Sequence, residues 1–106
     1  MKDIQKLARI FGALSVDTRL RIIELLRDRT LCVGALSSLL KVTQGAVSQH
    51  LRILRDADLV IPEKQGYYVH YRINEATLAK WLKGIGKFLG TRKKKHHCPW
   101  KQTGRR

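Results

Sequence analysis

Five amphipathic helices and one β-hairpin, in the order ααααββα, are what this 106-residue sequence predicts, a mainly α chain with one small sheet. Three observations predict it. Apolar residues recur at i, i+3, i+4 and i+7 through the first half; the period falls to two between residues 59 and 73; the helical spacing then returns.

Ile4, Leu7, Ala8, Phe11 and Leu14 set the first helix, residues 3 to 14. Ser15 or Asp17 is the expected cap of the second, with Leu20, Ile23 and Leu26 on its inner side. Residues 32 to 40 read as a short third helix with Leu36, Leu39 and Leu40 inward, and Lys41-Val42-Thr43 as a tight connection. Thr43 is the expected N-cap of a fourth helix that starts at Gln44, runs to about Ala57 and buries Val47, Leu51 and Leu54. Two short helices joined by so few residues, the second polar outside, form a helix-turn-helix pattern. Leu59, Val60 and Ile61 then begin an extended run, Lys64-Gln65-Gly66 signals a turn, and Tyr67, Val69, Tyr71 and Ile73 alternate with Tyr68, His70 and Arg72. This hairpin is a two-stranded wing, in which Pro62 suits an edge strand. Asn74 caps a last helix that carries Leu78, Trp81, Leu82, Ile85, Phe88 and Leu89 on one face. Gly84 and Gly86 each weaken it by about 1 kcal/mol relative to alanine, unless a close helix contact needs them.

Composition bounds the function. Lys and Arg number 22 against 8 Asp and Glu, a formal net charge of +14, which predicts attraction to polyanions. Half of that excess lies in residues 91–106, where Arg92, Lys93, Lys94, Lys95, Lys101, Arg105 and Arg106 stand without an acid. The expected organisation is a domain over residues 1–90 and a basic, flexible tail over 91–106. Two cysteines, Cys32 and Cys98, are too few for a disulfide framework, and no apolar run has the length of a membrane span or the form of a signal peptide. A cytoplasmic protein without a membrane partner is expected. Paired carboxylates, a nucleophile triad and a phosphate-cradling glycine loop are all missing, so an enzyme is not expected.

The fourth helix carries the chemistry. Gly45, Ser48, Gln49 and Arg52 lie three or four residues apart, on the face opposite Val47, Leu51 and Leu54. Gln49 offers the paired donor and acceptor that adenine requires in the major groove; Ser48 suits a base edge or a phosphate, and Arg52 suits guanine or phosphate. Thr43 and Gln44 stand at the helix start, where such helices reach deepest. His50 sits beside this face, either as a packing residue or as a phosphate donor. Double-stranded DNA is the expected partner.

The runs LSVDTRLRIIELL and LSSLLKVTQGAVSQHLRILRDADLVIPEKQGYYVHYRI resemble the ArsR/SmtB family of winged helix-turn-helix repressors, over roughly residues 5 to 90. Thr18-Arg19-Leu20, Ser48-Gln49-His50-Leu51, Leu59-Val60, Gly66 and Tyr71-Arg72 carry the resemblance. It implies a homodimeric repressor that binds an inverted repeat in its own promoter and leaves when an inducer binds. Two positions depart from the family pattern. Asp58 stands where glycine is usual, and aspartate tolerates a left-handed cap better than most residues. Tyr67 stands where arginine is frequent, which shifts the expected wing contacts to Lys64 and Gln65.

Dimerisation is expected on physical grounds as well, because the first and last helices each carry an apolar face that so small a core cannot cover. Ile4, Leu7, Phe11, Leu78, Trp81, Leu82, Ile85, Phe88 and Leu89 are the expected contact residues. The inducer is left open. The family's Cys-x-Cys metalloid site is here Cys32-Val33-Gly34, and the last helix lacks the histidines and acids of its zinc site. Cys32 with Cys98, His96 and His97 would suit a soft metal or metalloid ion; a reversible disulfide, and no cysteine sensing at all, are the alternatives. The competing function is a basic protein that coats nucleic acid or binds RNA with little sequence preference.

Overall fold

The computed structural model describes residues 4–90, together with Cys98 and Trp100. It contains α1 (Ile4–Leu14), α2 (Asp17–Leu26), β1 (Leu31–Cys32), α3 (Val33–Leu40), α4 (Gln44–Asp56), β2 (Val60–Gln65), β3 (Tyr68–Ile73) and α5 (Glu75–Leu89). The five expected helices and the hairpin are all present. Residues 91–97, which open the expected tail, lie outside the described part.

Helix ends follow local chemistry, with one departure. Thr43 caps α4 by accepting from the Ala46 amide at 3.1 Å, and Asn74 caps α5 by accepting from Thr77 at 3.4 Å. Neither Ser15 nor Asp17 caps α2. Val16 holds that position without a side-chain bond, because the Ser15 hydroxyl turns back to donate to the Gly12 carbonyl at 2.9 Å. Asp17 instead enters the first turn, where its charge complements the helix dipole.

The C-terminus of α4 sets the direction of the wing. Asp58 adopts φ 65°, its amide donates to the Arg55 carbonyl at 2.8 Å, and the Leu59 amide reaches the Leu54 carbonyl at 2.9 Å. These two bonds make a Schellman cap with aspartate in the left-handed position that glycine usually fills. Leu54 and Leu59, each 0% exposed, supply its apolar contact. Lys41 ends α3 in the same left-handed conformation, at φ 59°.

The sheet has three strands in the order β1-β3-β2, all antiparallel. β1 was hidden in the sequence, since two residues show no period. It pairs Leu31 with Tyr71 and Cys32 with His70, so the α2–α3 connection is fastened to the wing. Cys32 therefore precedes α3 rather than opening it. In the hairpin Gln65 pairs with Tyr68, which leaves Gly66-Tyr67 as the turn and places Lys64 and Gln65 at the end of β2. Gly66, at φ 65°, occupies the first central position, where a two-residue turn of the II′ type demands glycine. Pro62 lies on the edge strand, as its missing amide requires.

The core lies where α2, α3 and α4 meet, around Ile22, Leu36, Val47, Leu51 and Leu54. Two expected inner residues are displaced from it: Leu20 is 50% and Leu39 is 53% exposed. The buried stripe of α2 is Arg19, Ile22 and Leu26, and a buried arginine had disguised it. Of the residues expected between subunits, Leu7 and Trp81 are already buried within the chain, and Leu78 and Ile85 pack against the core, because α1 and α5 meet each other. Ile4, Phe11, Leu82, Phe88 and Leu89 remain exposed.

Leu54→Ala should therefore lower stability by about 2–5 kcal/mol, whereas Leu20→Ala should cost less than about 1 kcal/mol. Urea unfolding of the two variants checks this contrast.

Candidate nucleic-acid interface

The stripe Val47, Leu51 and Leu54 fixes α4 to the core and thereby turns its other face outward. Gln44, Gly45, Ser48, Gln49 and Arg52 are all exposed there, and Thr43 is exposed at the helix start with its oxygen engaged as the cap. Gly45 has nothing within 4 Å of the point a Cβ would occupy. No internal packing requires glycine at that position. Lys64 and Gln65 are exposed near the hairpin tip, and Tyr67 stands 97% exposed beside them. The hairpin is braced by the ion pair of Arg72 Nε with Glu63 Oε2 at 2.6 Å, which joins its two strands diagonally.

His50 separates from this group. Its Nδ1 stands 3.3 Å from Arg19 Nη1, and since a guanidinium only donates, the imidazole nitrogen accepts. Arg19 is 8% exposed. Its Nε donates to the Ala13 carbonyl at 2.8 Å and its Nη2 to the Gly12 carbonyl at 3.3 Å. One buried side chain thus closes the carbonyl end of α1 and holds the imidazole of α4. His50 takes the packing role of the two the sequence left open, in a polar form. The sequence reading had used Arg19 only as a mark of resemblance; the available signal was an arginine at the 19, 22, 26 spacing of the buried stripe.

Against this geometry, comparison with known proteins is decisive. Residues 17–61 match the bacterial regulatory protein arsR family. The chain is 33% identical over 90 residues to an arsenic resistance transcriptional regulator of Pseudomonas putida, which spans 80% of this chain and 70% of that protein. This chain belongs to the arsR family. A transcriptional repressor SmtB homolog of Synechocystis is 41% identical over 73 residues, covering 69% of this chain. The match spans only 55% of that relative's length. The solved ArsR-like transcriptional regulator from Rhodococcus sp. RHA1 superposes with a TM-score of 0.69 at 33% identity, over 79% of this chain and 82% of that one. The fold is accordingly a winged helix-turn-helix, with α3 and α4 as the two helices and β2–β3 as the wing.

The arsR-family resemblance implies a thiolate metal site at the start of α3, and the described residues do not supply one. Cys32 is half-buried, Gly34 stands where a second cysteine is needed, and among the described residues no three His, Cys, Asp or Glu side chains gather around a common point. Cys98 is exposed, and His96 and His97 lie outside the described residues. Cys32 nevertheless has notable surroundings. Its register partner His70 carries a buried Nδ1 with no hydrogen-bond partner. A Cβ on Gly34 would stand 3.8 Å from Gln44 Nε2 and 4.0 Å from Cys32 Sγ, so the thiol and the first side chain of α4 border one small gap.

Arg19→Met should cost about 1–3 kcal/mol, because it strips the buried Ala13 carbonyl of its side-chain donor and leaves His50 Nδ1 without its partner. Arg19→Lys should recover little of that loss, since an ammonium cannot span the three acceptors. Thermal or urea unfolding of both variants reads the effect.

Proposed function

We propose that this chain is a sequence-specific DNA-binding transcriptional repressor, not an enzyme. It acts in the cytoplasm as a homodimer on an inverted-repeat operator, and an inducer releases it. The observation that carries this reading is the outward face of α4, where amide, hydroxyl and guanidinium groups stand exposed on a helix whose opposite side is locked into the core. Gln49 reads a base edge, Gln44 and Ser48 flank it, and Arg52 and Thr43 reach base or phosphate. Gly45 keeps the helix surface low where a strand of duplex passes closely. Lys64 and Gln65 extend the contact through the wing.

The dimer uses what the monomer leaves uncovered, namely Ile4, Phe11, Leu82, Phe88 and Leu89, with Leu7, Leu78, Trp81 and Ile85 as their support from beneath. Two-fold pairing along α1 and α5 would set two recognition helices about 34–36 Å apart, one turn of B-DNA. The seven cations of residues 91–106 add sequence-independent affinity for phosphates.

For the inducer, Cys32 is the sensing residue. The signal is a soft metal or metalloid ion, for which Cys98, His96 and His97 would complete the donors, or a thiol-reactive compound. The space beside Gly34, which both the Cys32 thiol and Gln44 border, supports this, because a group added to the sulfur would enter space next to the first turn of the reading helix.

Gln49→Ala should cost about 1–3 kcal/mol on the operator and relax base preference at one position per half-site. Gly45→Ala should raise helix stability by about 1 kcal/mol while weakening operator binding. Gel-shift titrations on DNA upstream of its own gene test both; equal losses on every duplex would instead favour a coating protein with little sequence preference. Cys32→Ser should leave binding intact and abolish release by zinc, cadmium, arsenite, antimonite or peroxide in the same assay.

A further inference from the structure

A groove of about 870 Å³ opens between α1, the C-terminal half of α4 and α5, away from both the reading face and the cysteine. Its floor is apolar: Ile10 and Ala13 of α1, Ile53 of α4, and Trp81 and Gly84 of α5. Trp81 is only 8% exposed, whereas Ile53 is 43% exposed and unfinished as a packing surface. Small residues make the space. Gly12, Ala13, Ala57 and Gly84 stand where larger side chains would fill it.

The rim is cationic. Lys6 and Arg9 rise from α1 and Lys80, Lys83 and Lys87 from α5. Among the described residues, Arg9, Lys80, Lys83 and Lys87 have no ion-pair partner. Two carboxylates, Asp56 and Asp58, also line the groove, and Asp58 accepts from the Thr77 hydroxyl at 3.2 Å. Thr77 and Lys87 lie ten residues apart, about 15 Å of helix, so the acids sit at one end and Lys83 and Lys87 extend toward the other.

Helix periodicity separates the cations of this groove from most of the expected subunit contact, with Trp81 common to both. Lys80, Lys83 and Lys87, at i, i+3 and i+7, share one face of α5, while Leu78, Leu82, Ile85 and Leu89 share the opposite one. On α1, Arg9 and Ala13 likewise lie across the helix from Ile4 and Phe11. A dimer joined through Leu82, Ile85 and Leu89 would leave Lys80, Lys83 and Lys87 facing solvent.

We propose that this groove is a binding site for an organic anion with an apolar body, a carboxylate on an aliphatic or aromatic skeleton. The body lies on Ile10, Ile53 and Trp81, and the anionic head meets Lys83 and Lys87, at the end away from Asp56 and Asp58. The volume falls within the range of about 300–1,000 Å³ usual for such sites. A bound body contacts Ile53 and Ala57 on α4 together with α1 and α5, so it changes the angle of the reading helix relative to the subunit contact. Only that consequence rests on the DNA-binding reading; the site itself does not.

The test uses the full chain with Trp100→Phe, which leaves Trp81 as the sole indole. Dodecanoate, kept below its micellar concentration, is expected to shift Trp81 fluorescence saturably, with 1-dodecanol at least ten-fold weaker. Lys83→Glu with Lys87→Glu should weaken dodecanoate at least ten-fold, while Arg21→Glu, a charge reversal at an exposed α2 residue outside the groove, leaves it unchanged. Absence of a saturable shift, equal affinity for the alcohol, or indifference to the charge reversal overturns the site. If the charge reversal instead abolishes self-association in sedimentation velocity, a second copy of the chain occupies the groove and the proposal also falls. A DNA titration of the same variants separates failure of the site from failure of the DNA reading.

Discussion

The buried guanidinium of Arg19 is the constraint on which the arrangement of this small domain turns. A helix end leaves carbonyls that need donors, and at the end of α1 the Ala13 carbonyl is covered by the start of α2. Arg19 donates to Ala13 and Gly12 and, through its third corner, to His50. Its planar fork serves three acceptors on two elements, α1 and α4, from its own place in α2 and without losing its charge. The first helix and the reading helix are thereby held by one side chain, and neither can rotate without breaking a charge-assisted hydrogen bond.

Around that tie the other elements divide their tasks. Leu36, Val47, Leu51 and Leu54 bury one side of the helix-turn-helix, so its polar side faces solvent by necessity. The Schellman cap at Asp58 then reverses the chain, and β1 clamps the resulting hairpin to the loop before α3. Cys32 lies in that clamp, paired with His70 and facing the space beside Gly34 that Gln44 also borders. The groove lined by α1, α4 and α5 reaches the helix of Gln44 from another side.

Much of the fold was legible because its causes are local. Thr43 and Asn74 announce caps, Gly66 announces a turn, and the stripes of α1, α4 and α5 repeat with helical spacing. Asp58 was readable as a tolerated left-handed residue. Where reading by apolar period failed, a polar or very short element interrupted the pattern: Arg19 inside the α2 stripe, and two residues of β1. The outward residues of α4 were legible as a set, whereas His50 was not assignable, since its partner lies 31 positions away.

The sequence by itself determined the element order, the charge, the polar face of the fourth helix and the family resemblance, because each is written in residues within a few turns of one another. Tertiary structure alone decided which apolar side chains are already covered, that Arg19 is buried, that Cys32 and Gln44 face one gap beside Gly34, and that cations and apolar groups from three helices line one groove. Those facts depend on contacts between segments distant in the chain. No local period encodes them, since the same stripe can face its own core or open solvent until its neighbours are placed.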